Sequence, residues 1–303
     1  FLNKFYWDKD KKKIEKKIEN LFIDKKIDIT IVGLTYKKNS LENKIVKLSK
    51  KYKIKTGAIQ DFWGNIGYFT KDNNPDIFWV IDKFAKKISV KRLKSSEIKI
   101  IGSPKYEKKK IKLKFNKYSA DNNIVIIGQP FDLIGIKKFY KELSQISYKQ
   151  RLKFLFLSHP EDKIKSIEFI KKKNKYIKQI SKGYLLSILK KNTIIISYNS
   201  TLAYDLIYLK YFYRLNSTLI IFFQPGKKIN KYQEDNSGSS NMPLVNEKIA
   251  ILLKNKISLS EILIDDDQIK ILKNSQLENS KKYFTKMKNS TIRLNNSIKK
   301  IIN

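Results

Sequence analysis

Cysteine is absent from these 303 residues, methionine occurs twice, proline six times and histidine once. Without cysteine there is no disulfide and no thiolate metal site, and a reducing compartment is permitted. One histidine, His159, excludes multi-histidine metal centres and leaves a single imidazole for any chemistry near neutral pH. Arginine is scarce too: Arg92, Arg151, Arg214 and Arg293 stand beside a formal net charge of +37, so the excess charge is carried by lysine. Selection for phosphate or base recognition would draw on arginine's planar, two-pronged donor set. Lys, Asn and Ile, all written with A/T-rich codons, are instead enriched together. The charge therefore reads as compositional bias, with attraction to an anionic membrane surface as a by-product. No specific nucleic-acid partner is expected, and sequence-selective binding of DNA or RNA that survives physiological salt would overturn this. No apolar run approaches the length of a membrane-spanning helix, and Phe1-Leu2-Asn3-Lys4 does not start a signal peptide. A cytoplasmic protein, associated at most peripherally with the inner membrane face, is expected.

The hydrophobic content of 41% is enough to build two ordinary cores in a chain of this length. The most informative stretch runs from Leu152 to Leu206. Two short apolar runs, Phe154-Leu155-Phe156-Leu157 and Thr193-Ile194-Ile195-Ile196, flank a region read as helical. Short, continuously apolar strands separated by helical sequence predict a parallel sheet buried on both faces, and such sheets bind ligands beyond the carboxyl ends of their strands. Both runs stop abruptly in polar residues. Ser158-His159-Pro160-Glu161-Asp162 follows the first, and Pro160 ends the strand, which places His159 at the sheet's rim. Ser197-Tyr198-Asn199-Ser200-Thr201 follows the second and leads into Leu202-Ala203-Tyr204-Asp205-Leu206-Ile207, so Ser200 and Thr201 are expected at a helix amino terminus, a ready anion site.

Together these clusters resemble the carboxyl-terminal half of GT-B glycosyltransferases. Ser158-His159-Pro160 resembles the His-Pro motif of bacterial sialyltransferases and polysialyltransferases, and Ser197-Tyr198-Asn199-Ser200-Thr201 resembles their Ser-Ser/Thr motif. A similar pair occurs in the CDP-glycerol glycerophosphotransferases, and the wider architecture is shared by UDP-GlcNAc 2-epimerases. The resemblance implies that both motifs hold the nucleotide and phosphate of an activated donor.

Upstream, residues 8–26 predict an amphipathic helix with a lysine face and Ile14, Ile18, Leu21 and Phe22 at helical spacing. A strand over residues 27–32 ends at Gly33, and after a polar loop Ser40 caps a helix through Ile45, Val46 and Leu48. A second strand near residues 55–59 runs into Gln60-Asp61-Phe62-Trp63-Gly64-Asn65. Asp61 there is suited either to capping a turn or to deprotonating an acceptor hydroxyl as general base. Sialyltransferase-like enzymes carry an acidic pair before a glycine in this region; here Gln60 replaces one acid and two aromatics intervene. Residues 75–82 predict a third strand, and residues 98–101 a fourth that stops on Gly102-Ser103-Pro104. In this order the segments resemble the amino-terminal half of uncharacterised polysaccharide-biosynthesis proteins of GT-B architecture, a likeness running from about Ile27 to Pro225. Because the chain starts at Phe1 and such domains usually carry further strands before Ile27, the first domain is expected to be incomplete.

Residues 105–122, rich in lysine, predict the linker. Next come a strand over 124–127 and Gly128-Gln129-Pro130, whose loop should face the same cleft as His159 and Ser200, and a helix through Phe139, Leu143 and Ile146. A strand over 218–223 precedes a polar Gly-Ser loop over 232–241, and the tail from Glu247 reads as helical. The expected architecture is α/β, with two Rossmann-like domains facing a cleft, over residues 1–115 and 116–303. The expected function is transfer of a sugar from a nucleotide-sugar donor to a cell-surface glycan or glycolipid acceptor. Asp61 and His159 would be catalytic, while Gly128, Gln129, Ser158, His159, Pro160, Ser197, Ser200 and Thr201 would bind donor phosphate. No metal or cofactor is demanded, since no compact carboxylate cluster stands out. The rival readings are a nucleotide-sugar epimerase of the same fold and a non-catalytic nucleic-acid-binding protein.

Overall fold

The computed structural model describes residues 11–34, 40–61, 63, 66, 67, 69, 73–104, 123–162, 164–172, 174–189, 191–213, 215–226, 242, 244–284 and 289–302. The linker expected over 105–122, the loop over 232–241, and Phe62, Gly64 and Asn65 lie outside them. The described residues fall into two units, 11–104 with 289–302, and 123–226 with 242–284.

The first unit opens with α1 (Lys11–Asp24), β1 (Ile29–Val32), α2 (Leu41–Lys51), β2 (Lys55–Ile59), β3 (Ile77–Val80), α3 (Lys83–Arg92) and β4 (Glu97–Ile100). Its four strands lie in the order β1-β2-β3-β4, all parallel. Ser40 caps α2 as its sequence predicts, its hydroxyl accepting the Asn43 N–H at 3.2 Å. In α1 only part of the expected apolar stripe is covered: Ile14 is buried, Leu21 is about half exposed. Every residue of Ile77-Phe78-Trp79-Val80 is buried, as an interior strand of a two-sided sheet requires. Gly57 on β2 makes room for Trp79, whose ring would lie 2.2 Å from a Cβ at that position.

The second unit contains β5 (Asn123–Ile127), α4 (Ile136–Gln150), β6 (Phe154–Leu157), α5 (Lys165–Lys171), β7 (Ile177–Ile180), α6 (Lys182–Ile188), β8 (Thr193–Ser197), α7 (Thr201–Tyr213), β9 (Thr218–Phe223), β10 (Ile251–Leu253), α8 (Lys256–Ile262) and α9 (Asp266–Tyr283). Its six parallel strands lie in the order β7-β6-β5-β8-β9-β10. Numbered within the unit this is 3-2-1-4-5-6, the doubly wound Rossmann order. Two expectations are corrected here. The region between β6 and β8, read as helical, contains β7, an edge strand whose Lys178 and Gln179 are exposed and so lack the apolar run of an interior strand. The tail read as helical from Glu247 contains the opposite edge strand, β10, three residues long.

α7 is buried on all sides from Ala203 to Lys210, which explains why its sequence is apolar around the whole circumference. α9 covers it. Gln276 of α9, fully buried, inserts its amide into the sheet: Oε1 accepts the Ile220 N–H at 3.2 Å, while Nε2 donates to the Ile220 carbonyl at 3.0 Å and the Ile249 carbonyl at 2.8 Å. One side chain thus substitutes for ladder bonds where β10 does not reach. Lys210, equally buried, donates to the same Oε1 at 3.0 Å and to the Lys273 carbonyl at 3.1 Å.

The last helix, α10 (Ser290–Ile302), was expected in the second domain but groups with the first unit. Leu294, Ile298 and Ile301 pack on Ile77, Trp79 and Ile101, and Trp79 Nε1 donates to Ser297 Oγ at 2.9 Å. The amphipathic pattern of α10 predicts that it has an apolar face and says nothing about which sheet receives it. Among the described residues, no helix is long and apolar enough to cross a membrane.

Candidate functional site

Register places three loop starts of the second sheet side by side. Ile127 is paired with Leu157 and with Ser197, so Gly128, Ser158 and Tyr198 follow at one level of the carboxyl edge. The strand order changes direction between β5 and β8, and open parallel sheets place ligands beyond the carboxyl ends at such a point. Gly128 and Gln129 leave one side of it; Ser197 to Thr201 leave the other.

Gly128 is needed for close approach. A Cβ there would lie 2.7 Å from the Leu157 carbonyl oxygen and 3.1 Å from the His159 nitrogen. Its own N–H donates to that Leu157 carbonyl at 2.7 Å, tying the β5 loop to the β6 loop. Gln129 is buried, and its backbone is held from both sides by Tyr140: the N–H donates to the phenol oxygen at 2.8 Å, and the phenol donates to the Gln129 carbonyl at 2.9 Å. Burial pushes the Tyr140 phenol up to about 12, so it stays a neutral donor.

His159, Pro160, Glu161 and Asp162 form a tight turn closed by the Asp162 N–H on the His159 carbonyl at 3.1 Å. Asp162 is buried and accepts the Ser166 hydroxyl at 2.8 Å, fastening the turn to the start of α5. The Glu161 N–H donates to His159 Nδ1 at 3.2 Å. An accepting Nδ1 puts the ring proton on Nε2, which has no partner among the described residues. Ser158 Oγ accepts Gln179 Nε2 at 2.9 Å, and Pro160 is exposed.

In the other cluster the serines serve the backbone. Ser197 Oγ accepts the Ser200 N–H at 3.0 Å, and Ser200 Oγ accepts the Leu202 N–H at 3.2 Å, capping α7. Thr201, exposed as the first helical residue, has a hydroxyl with no hydrogen bond among the described residues. Three supporting roles, those of Tyr198, Gly135 and Gln224, escaped the sequence reading. Tyr198 donates to the Ile134 carbonyl at 2.7 Å, its hydroxyl occupying the space beside Gly135, where φ is +82° and a Cβ would lie 2.2 Å from that oxygen. Gln224, fully buried after β9, donates to the Tyr198 carbonyl at 2.8 Å. Only the glycine carried a local signal.

Asp61 belongs to the first unit, exposed just beyond β2. The buried acid nearby is Asp82. It caps α3 through the Ala85 N–H at 2.8 Å and accepts Trp63 Nε1 at 2.7 Å. Burial raises its carboxyl to about 6. Zero exposure makes Asp82 a structural cap. Among the described residues, no three acidic or histidine side chains converge as a metal ion requires.

No family model and no curated protein matches the sequence. Solved structures do. MnaA of S. aureus, in a co-structure with UDP, superposes with a TM-score of 0.63 at 15% identity, covering 99% of this chain and 82% of that one. The UDP-GlcNAc 2-epimerase of Neisseria meningitidis bound to UDP-GlcNAc gives 0.53 at 12%, covering 99% and 83%. Arabidopsis thaliana UGT89C1 complexed with UDP-L-rhamnose gives 0.53 at 9%, covering 96% and 77%. The chain has the GT-B fold. Sheets of the GT-B fold, open and parallel, account for the polar carboxyl edge just described.

Gly128→Ala in this GT-B protein is expected to cost about 1–3 kcal/mol in unfolding by urea, because the new methyl meets the Leu157 carbonyl oxygen at 2.7 Å and the buried Phe156 ring at 3.0 Å. A cost below about 0.5 kcal/mol would show that the two loops are not held together there.

Proposed function

We propose that the protein transfers a sugar from a nucleotide-linked donor to a cell-surface glycan or glycolipid acceptor, with the donor nucleotide at the carboxyl edge of the second sheet. The observation that carries the reading is the set of unused donors at that edge. His159 Nε2–H and the Thr201 hydroxyl have no protein partner among the described residues, while the side chains around them are committed to holding the two loops in place. Donors fixed in this way suit the phosphate oxygens of a nucleotide, aided by the amino terminus of α7. The expected loop partners Gly128, Gln129, Ser158, Pro160, Ser197 and Ser200 act here chiefly through the backbone positions they fix.

In the transfer, the bond between the sugar's anomeric carbon and the phosphate oxygen breaks, and the nucleotide leaves with added negative charge. His159 Nε2–H and the α7 terminus stabilise that charge. The acceptor hydroxyl forms the new bond and gives its proton to a base, for which Asp61, an exposed carboxylate, is suited. The epimerase reading is supported equally by the neighbours, which include a UDP-GlcNAc 2-epimerase. Incubating the protein with UDP-GlcNAc separates the two. Conversion to the 2-epimer without acceptor marks an epimerase; acceptor-dependent release of the nucleotide marks a transferase.

A thermal-shift screen of CMP-, UDP-, GDP- and CDP-linked donors should find one that raises the melting temperature. His159→Ala is expected to weaken that donor about tenfold, worth about 1.4 kcal/mol, with the melting temperature unchanged. A variant that melts early and binds the donor as before would sink the site. Asp61→Asn should lower turnover and leave donor affinity as it was; an unchanged rate would make Asp61 a turn residue only.

A further inference from the structure

At the opposite edge of the second sheet lies a cavity of about 300 Å³ lined by Asn192, Asn216, Ser217, Asp266, Lys270 and Lys273, among others. Asn192 stands immediately before β8, Asn216 and Ser217 immediately before β9, and the lysines on α9. Strands of five and six residues separate it from the nucleotide edge, roughly 15–20 Å at the rise of a β-strand.

Apart from Asp266 and Ile269, the lining is a set of positive and neutral donors. Lys273 is buried and donates through Nζ to Asn192 Oδ1. That bond orients the Asn192 amide with its NH₂ group left over. The side chains of Asn216 and Asn274, which also line the cavity, make no hydrogen bond among the described residues. Lys270 is exposed at the mouth. Burial lowers the pKa of the Lys273 ammonium, and the charge of Asp266, the one carboxylate in the lining, opposes that lowering, so the exposed Lys270 brings the charge that burial does not weaken. Behind the wall, Lys210 donates to the Lys273 carbonyl at 3.1 Å, holding that turn of α9 in place.

We propose that this cavity binds a phosphate group, either inorganic phosphate or the phosphomonoester of a small metabolite, with Lys270 and Lys273 supplying charge and Asn192, Asn216 and Asn274 supplying amide N–H groups. Ammonium and amide donors together match tetrahedral oxyanions, which take several charge-assisted hydrogen bonds at once. The volume falls at the small end of ligand pockets, which limits the rest of the ligand to a few heavy atoms. The site shares no residue with the nucleotide edge, so occupancy of one does not exclude the other.

The test is calorimetric titration of the full chain with inorganic phosphate, and separately with glycerol 3-phosphate, at constant ionic strength. Saturable binding with one site is expected. Lys270→Gln, a change at an exposed position, should weaken it at least tenfold, while Lys178→Gln on β7 should leave it unchanged. Tighter binding of glycerol 3-phosphate than of phosphate assigns the site to a phosphomonoester, and the reverse to free phosphate; either supports the proposal. Absence of saturation, an unaffected Lys270→Gln, or a loss shared equally with Lys178→Gln overturns it, the last because it marks diffuse attraction to a lysine-rich surface. Loss in His159→Ala alone would place the anion at the nucleotide edge and also overturn it. Lys273→Met, read with its melting curve, gives a second measure from inside the cavity.

Discussion

Gln276→Leu is expected to lower the stability of the second unit by about 4 kcal/mol, and its melting temperature by on the order of 10 °C. Leucine fills the space, so the loss comes from hydrogen bonding. The substitution leaves the Ile220 N–H and carbonyl and the Ile249 carbonyl without the amide they share, and takes one acceptor from the Lys210 ammonium. All lie in the core, where each orphaned polar group costs about 1–3 kcal/mol. Gln276→Glu separates the contributions: it keeps an acceptor for Lys210 and loses both donated bonds. Urea unfolding of the two variants is the measurement. A loss below about 1 kcal/mol for leucine would mean that β9 and β10 close the gap by themselves.

Lys210→Met is expected to change the dependence of stability on pH. Burial, with the neighbouring Lys273 charge adding to it, lowers the Lys210 ammonium from 10.5 to about 7. Between those values the unfolded chain holds the proton more tightly than the native protein does. Stability from this group is therefore present above 10.5 and lost as pH falls toward 7, on the order of 5 kcal/mol across the window. Methionine carries no charge at any pH, so the variant should lack this rise and should be the more stable protein at pH 7, as buried charges without a carboxylate partner are costly. Unfolding free energies at pH 6.5, 8 and 9.5 test it; parallel curves for the two proteins would show that Lys210 is already solvated or paired.

The two motif clusters were legible because their signal is local. An apolar run such as Phe154–Leu157 that stops at Ser-His-Pro marks a strand end, and strand ends in a parallel sheet share an edge. The architecture followed from the same runs. Residues whose role depends on distant partners gave no such signal. Gln276 sits among lysines and asparagines in a polar-looking helix, and only the shortness of β10 makes it part of a sheet. Tyr198 reads as one more aromatic until Gly135, more than sixty positions earlier, is seen to leave room for its hydroxyl. β7 escaped because an edge strand with Lys178 and Gln179 in its middle has neither the apolar run nor the alternation that marks strands. Asp61 and Asp82 show the converse. Both are aspartates beyond a strand of the first sheet, and their sequences do not tell which one the fold buries as a cap and which it leaves to solvent.

Ser297 meets Trp79 across 218 positions of sequence. During synthesis, every residue of the second unit leaves the ribosome before α10 does. The first sheet, although made first, must wait with the face around Ile77, Trp79 and Ile101 uncovered, while the second unit has all of its own parts earlier. With α10 made last, the usual order, in which the amino-terminal domain matures first, is expected to reverse. A nascent chain arrested just short of α10 presents a finished second unit joined to an aromatic, unsealed sheet, which is the form most exposed to chaperones, proteases and aggregation.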